Sequence, residues 1–152
     1  MTRPSEVKPR EGEQPGTLAA DYKAGAILPR LAFTVTPDIV DEYIAAIDSD
    51  KSIYKLNGRP VAPPNVLAVY QLAVLYCLYP PIQGIILTDQ EWHWHSPIWA
   101  DEDTEIEADG KVTEKFEKRG KTFVRWSAEF RRKDGTPIAT STNTMFVPEL
   151  GE

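Results

Sequence analysis

Two histidines occur in the chain, His93 and His95, within Glu91-Trp92-His93-Trp94-His95. In an extended strand alternate side chains share a face, so Glu91, His93 and His95 would project from one side and Gln90, Trp92 and Trp94 from the other. An imidazole titrates near neutral pH and can move a proton, or it can serve only as a polar packing group. A metal would need further ligands, and there is no third histidine to complete such a set. The second group of candidates is Asp48 and Asp50, in the polar stretch Asp48-Ser49-Asp50-Lys51-Ser52. A carboxylate there can hold a water and accept its proton, or it can simply close the end of a helix. Cys77 is the single cysteine, which excludes an intramolecular disulfide and fits a reducing compartment.

These residues need elements to hold them. Thr36-Pro37-Asp38 predicts a helix start, with Thr36 as cap, proline at the first helical position and an acid beside the positive dipole end. Ile39, Val40, Tyr43, Ile44 and Ile47 follow at helical spacing and make one apolar face. Residues 51–60 read as an irregular polar segment between that helix and the next. Pro63-Pro64 and Pro80-Pro81 then bracket an apolar run in which Gln71 is the only strongly polar residue after Asn65. This predicts a long helix, capped at Asn65, buried nearly all round and enclosing Cys77, yet too short for a bilayer, which needs about 20 apolar residues.

The second half is β-rich. Upstream, Leu31, Phe33 and Val35 alternate as in a short strand. Residues 90–95 give a strand that ends at Ser96-Pro97. Residues 104–116 give another, with a bulge expected near Asp109-Gly110. Lys118-Arg119-Gly120-Lys121 reads as a hairpin turn, Phe123, Trp126, Ala128 and Phe130 as a return strand whose alternation slips once, and Lys133-Asp134-Gly135 as a second turn before a last strand at 138–147. The expected class is α+β: one long helix wrapped by a twisted antiparallel meander.

The 152 residues, 41% hydrophobic, suffice for one domain with a real core. Residues 1–16 carry Pro4, Pro9, Pro15, Gly12 and Gly16 among charged side chains and predict a disordered tail, with residues 17–152 as the domain. A net charge of −6 argues against a nucleic-acid or anionic-membrane partner. Residues 1–6 lead into no apolar signal segment, so a cytoplasmic location is the default expectation.

Four stretches together resemble one family. Residues 46–54 followed by Arg59-Pro60-Val61-Ala62-Pro63-Pro64 resemble the loop of MaoC-like dehydratases, which have the hot-dog fold. Residues 91–98 resemble that family's E-x-x-F-H-R-P-L strand, and residues 117–124 its E-K-R-G-R-T-F-V hairpin. Asp134-Gly135 with Ala139-Thr140 resembles its D-G-x-x-V-A-T ending. The four occur in the family's order across about residues 30–147.

The resemblance implies binding of an acyl-CoA or acyl-carrier thioester, no further cofactor, and reversible addition of water to a 2-enoyl group. It implies that an aspartate and a histidine in the loop handle the water and its proton. It also implies that the start of the central helix, here Pro63, Pro64, Asn65 and Val66, binds the substrate, with backbone N–H groups there holding the thioester carbonyl. This sequence departs from the pattern. Where catalytic members read D-x-N-P-x-H, it has Asp50-Lys51-Ser52-Ile53-Tyr54-Lys55, and Tyr54 matches the tyrosine of the non-catalytic N-terminal halves. A phenol, whose ordinary pKa is about 10, is a poor base at neutral pH. The resemblance therefore implies the accessory half of a heteromeric hydratase or dehydratase whose MaoC-like partner subunit carries the Asp/His pair. The alternatives are a self-sufficient homodimeric hydro-lyase using Asp50, Tyr54 or His95, and a non-catalytic acyl-thioester-binding protein.

Overall fold

Leu31, Phe33 and Val35 of β1 (Ile27–Val35) are buried, as the alternation predicts, and Leu28 is buried with them across an irregularity in the strand. The structure, a computed structural model, describes residues 3–7, 12 and 15–149. Strand β1 pairs with β5 (Thr104–Lys118), and β5, β6 (Lys121–Arg132) and β7 (Pro137–Val147) follow one another as a meander. Arg119 (φ 54°) and Gly120 (φ 73°) form the tight β5–β6 turn, where two left-handed residues match the strand twist. Strand β4 (Ile86–Trp94) joins the far edge, giving the antiparallel order β1-β5-β6-β7-β4. The meander is thus incomplete. Consecutive β4 and β5 are separated by β6 and β7, and residues 95–103 must cross between them.

Helix α2 (Pro37–Ala46) starts as expected: Thr36 Oγ1 accepts the Ile39 N–H at 3.3 Å, and Pro37 lies in the first turn. Ile39, Val40 and Ile44 are buried, whereas Ile47 lies past the helix end and is exposed. The central helix is shorter than predicted. A 3-10 turn over Pro64–Leu67 leads into α3 (Ala68–Tyr76), and Pro63, not Asn65, precedes the first turn with no side-chain cap. Within those limits it is buried nearly all round, as predicted. Tyr70, Gln71, Ala73, Val74, Leu75 and Tyr76 are buried and only Val69 of α3 is exposed, whereas Cys77, predicted inside the buried helix, and Leu78 lie past its end and are exposed. The helix ends at Tyr76, so the side chains of Cys77 and Leu78 fall beyond its packed turns.

The sheet curves around α3 through close contacts. Tyr70 stacks on Phe33 with centroids 4.1 Å apart, and Phe33 meets Phe130 edge-on at 6.4 Å. Gly110 of β5 lies directly beneath Val74. The bulge expected at Asp109-Gly110 falls opposite: Leu28 pairs with Gly110 and Leu31 with Ala108, so the extra residue is on β1. A second irregularity sits between Val112 and Glu114. Strand β6 shows no slip in its alternation. Thr122, Val124, Trp126, Ala128 and Phe130 are all buried, and Phe123 points to the outer face, stacked on Phe116 at 5.4 Å.

Within residues 1–16, Pro4–Val7 form one helical turn, α1, with Val7 buried and Arg3 bonded to Glu42 at 2.7 Å. Residues 1–2, 8–11 and 13–14 of the predicted tail lie outside the described residues. Among the described residues, no helix is long and apolar enough to cross a membrane.

Candidate functional site

The polar segment after α2 is ordered by local chemistry. The chain turns at Asp48, which is left-handed (φ 51°), and the Ser49 N–H reaches back to Ile44 O at 3.1 Å. Asp50 Oδ1 accepts the Ser52 N–H at 2.9 Å and so caps the 3-10 turn Lys51–Ile53. This bond to the charged form holds the Asp50 carboxyl below the usual carboxylate range. Residues 55–60, predicted as irregular, form a small hairpin: β2 (Lys55–Leu56) pairs with β3 (Arg59–Pro60) across Asn57 and Gly58, both left-handed. Asn-Gly is the favoured pair for such a two-residue turn, so this signal was present in the sequence.

The hairpin is fixed to the segment that follows β4. The Ala62 N–H donates to Ile98 O at 2.7 Å, the Ala100 N–H donates to Pro60 O at 3.0 Å, and Val61 forms a β-bridge with Trp99. Arg59 lies over the Trp99 ring at 4.2 Å and grips Asp101 through Nε (3.0 Å) and Nη2 (2.8 Å). That pairing raises the guanidinium pKa and lowers that of Asp101. Planar two-point contact is what arginine does and lysine cannot.

Between these two segments is a pocket of about 390 Å³, within the roughly 300–1,000 Å³ range of small-molecule sites. Ile53, Tyr54 and Leu56 form one wall, Ala62, Pro63 and Pro64 the helix-entry end, and Trp94, His95 and Ile98 the facing wall, with Ile138 of β7 beside them. The lining is mostly apolar. Its side-chain polar groups come from Tyr54, Lys55, His95, Ser96 and the Trp94 indole.

The structure brings together four of the residues singled out from the sequence: Tyr54, Pro63, Pro64 and His95. The Tyr54 and Ser49 hydroxyls are 2.8 Å apart. The His95 backbone N–H is fixed to Ile138 O at 2.8 Å, and no side-chain hydrogen bond restrains its ring among the described residues. The other three are not in the lining. Asp50 is an exposed cap, Asn65 is exposed, and buried Val66 lines a separate cavity beneath α1 with Arg3, Ile39 and Tyr43. His93 also lies outside, with Nε2 2.7 Å from Glu91 Oε1. Sequence reading missed Leu56, Ile98 and Ile138 as pocket residues. Ile138 lies far along the chain, and nothing local marks it.

The turn Pro64–Leu67 offers limited oxyanion capacity. Pro63 and Pro64 have no N–H, and the Val66 N–H is bonded to Pro63 O at 3.0 Å. The Asn65 amide is the donor at this end without an intrahelical partner.

This architecture has solved counterparts. A MaoC-like dehydratase from Rhodospirillum rubrum superposes with a TM-score of 0.68 at 18% identity, covering 90% of this chain and all of that one (100%). The chain has the hot-dog fold. The R-hydratase PhaJ1 from Pseudomonas aeruginosa matches with a TM-score of 0.66 at 14% identity, over 88% of this chain and 87% of that one. The HadBC (3R-hydroxyacyl-ACP dehydratase) complex from Mycobacterium tuberculosis matches with a TM-score of 0.67 at 19% identity, over 81% and 96%. No protein-family model matches the sequence, and a search of curated proteins finds no match.

Proposed function

We propose that this chain is an acyl-thioester-binding subunit of the MaoC-like type, acting as the accessory half of an enoyl-thioester hydratase or dehydratase. The observation that carries this reading is the composition of the pocket. It is apolar enough for an acyl group, and the loop that in catalytic members of the family would bring a histidine into it brings Tyr54 and Lys55 instead. The loop carboxylate Asp50 is committed to the Ser52 amide and is absent from the lining. A pocket that can hold a thioester but lacks the loop's acid–base pair needs that pair from elsewhere.

The partner in this reading is a second hot-dog subunit. Strand β4 is a sheet edge exposed along nearly its whole length, with Ile86 56% and Leu87 40% accessible. An open edge with apolar side chains is a template for another strand. Among the structural neighbours, HadBC is itself a complex of this kind of fold. One observation favours a second reading, a self-sufficient homodimeric hydro-lyase: the unrestrained His95 imidazole lines the same pocket as Tyr54.

The test is addition of the purified chain to crotonyl-CoA, following loss of enoyl-thioester absorbance, with crotonyl-CoA binding measured by calorimetry alongside. Binding without turnover is the expected result. Turnover by the chain alone would overturn the accessory role and direct attention to His95 and Tyr54. Absence of both binding and turnover would overturn the thioester reading.

A further inference from the structure

Trp94 is the last residue of β4 and is 41% exposed although it lies on the inward face of the sheet. One side of its indole is already occupied. Trp92, two residues back, stacks on it with centroids 4.8 Å apart and planes 6° from parallel. Trp92 is in turn backed by Phe130 at 5.7 Å, Phe130 by Phe33, and Phe33 by Tyr70 of the central helix. The Trp94 ring therefore ends a continuous aromatic row anchored in the core. Trp94 is also one of the residues that line the pocket. The opposite sides carry Pro63, Pro64 and the β-branched Ile53, Ile98 and Ile138, all stiff side chains.

We propose that Trp94 sets the specificity of this pocket for a flat, conjugated acyl group, an aryl-enoyl thioester, over a flexible aliphatic acyl chain. This rests on the thioester reading above. An indole with one face covered and buttressed presents a planar π-surface that cannot rotate away. A planar conjugated ligand gains offset stacking there beyond the area it buries, and loses little rotamer freedom on binding. An aliphatic chain gains only the area term and must give up several torsions against rigid walls.

The experiment is calorimetric titration of the full chain with trans-cinnamoyl-CoA, trans-2-hexenoyl-CoA, CoA alone and trans-cinnamamide. The expected result is that cinnamoyl-CoA binds about 3- to 10-fold tighter than hexenoyl-CoA, the advantage of one aromatic pair. W94L should bring the two esters to within about twofold of each other, while W94F, which keeps a smaller ring, retains part of the difference. Equal or reversed affinities in the parent chain would overturn the proposal and leave the thioester reading standing, as would a preference that survives W94L. Binding of cinnamamide but of neither CoA ester would overturn the thioester reading and keep the aromatic wall. If none of the acyl probes binds, both fail.

Discussion

Gly110 is the position where the helix and the sheet come closest, and Gly110→Ala tests how tightly the fold is assembled. A Cβ built there would lie 2.7 Å from Ser127 O, 2.8 Å from Val74 Cγ1 and 3.0 Å from Leu28 Cδ1. Comfortable carbon contacts are about 3.5–4.0 Å, so all three are too short. The two methyl groups belong to side chains that can shift. The carbonyl cannot, because it belongs to β6, which is hydrogen-bonded along its length to both β5 and β7. Overpacking of this kind costs about 1–3 kcal/mol. Restricting the unfolded chain by replacing glycine returns about 0.4–1 kcal/mol. The net loss is then about 1.5 kcal/mol, or a Tm lower by about 3–6 °C for a domain of this size. Urea unfolding should show a lower midpoint with an unchanged slope. A double-mutant cycle with Val74→Ala supplies the mechanism: removing the two methyl groups, Cγ1 among them, should cost less in the Gly110→Ala background, with a coupling of at least about 0.5 kcal/mol. Gly120→Ala is the control, because no atom lies within 4 Å of its Cβ position and only its φ of 73° opposes the change. Its effect should add to that of Val74→Ala. A Gly110→Ala protein as stable as the parent, or more so, would refute the close approach of α3 to the sheet.

Three further predictions concern the site and its supports. Removing the α2 cap with Thr36→Ala should cost about 1 kcal/mol in urea unfolding, because the Ile39 N–H loses its partner. The Asp50 carboxyl is held below its ordinary range by the Ser52 amide, so its contribution to loop order is present above the ordinary carboxylate pKa. That contribution disappears as the pH falls through the lowered folded value. Hydrogen exchange of the Ser52 amide should therefore lose protection at acid pH in the parent, and Asp50→Asn should weaken that dependence. Arg59→Leu removes both the Asp101 pair and the stacking on Trp99, and should weaken crotonyl-CoA binding while leaving the urea midpoint nearly unchanged. Affinity equal to the parent's would show that the hairpin holds its place without the clamp.

Local signals in the sequence were enough for several elements. Thr36-Pro37-Asp38 marks a helix start through side-chain geometry alone, and Arg119-Gly120 marks a turn through the backbone conformations it tolerates. The alternation in β1 names its inward face, and the order of four short stretches pointed to the hot-dog fold before any coordinates. Local signals failed where neighbours decide. Proline pairs bracket the central helix, but they do not say that it ends at Tyr76 and leaves Cys77 and Leu78 exposed. Phe123 is as apolar as Phe130, and only the pleat assigns one to the outer face and the other to the core.

The candidate site divides in the same way. Tyr54, His95 and the Pro63-Pro64 pair were visible as unusual residues in a recognisable order. Asp50 looked equally suitable, and its placement outside the pocket follows from a bond to an amide two residues away. That Trp94 and Ile138 line one pocket with Tyr54 depends on β4 pairing with β7 instead of with the next strand in the chain. The sequence by itself determined which residue types could bind an acyl group or move a proton, because these properties belong to side chains. Only the tertiary structure decided which of them share a pocket, because strand order and register are set by the burial of the whole sheet against one helix.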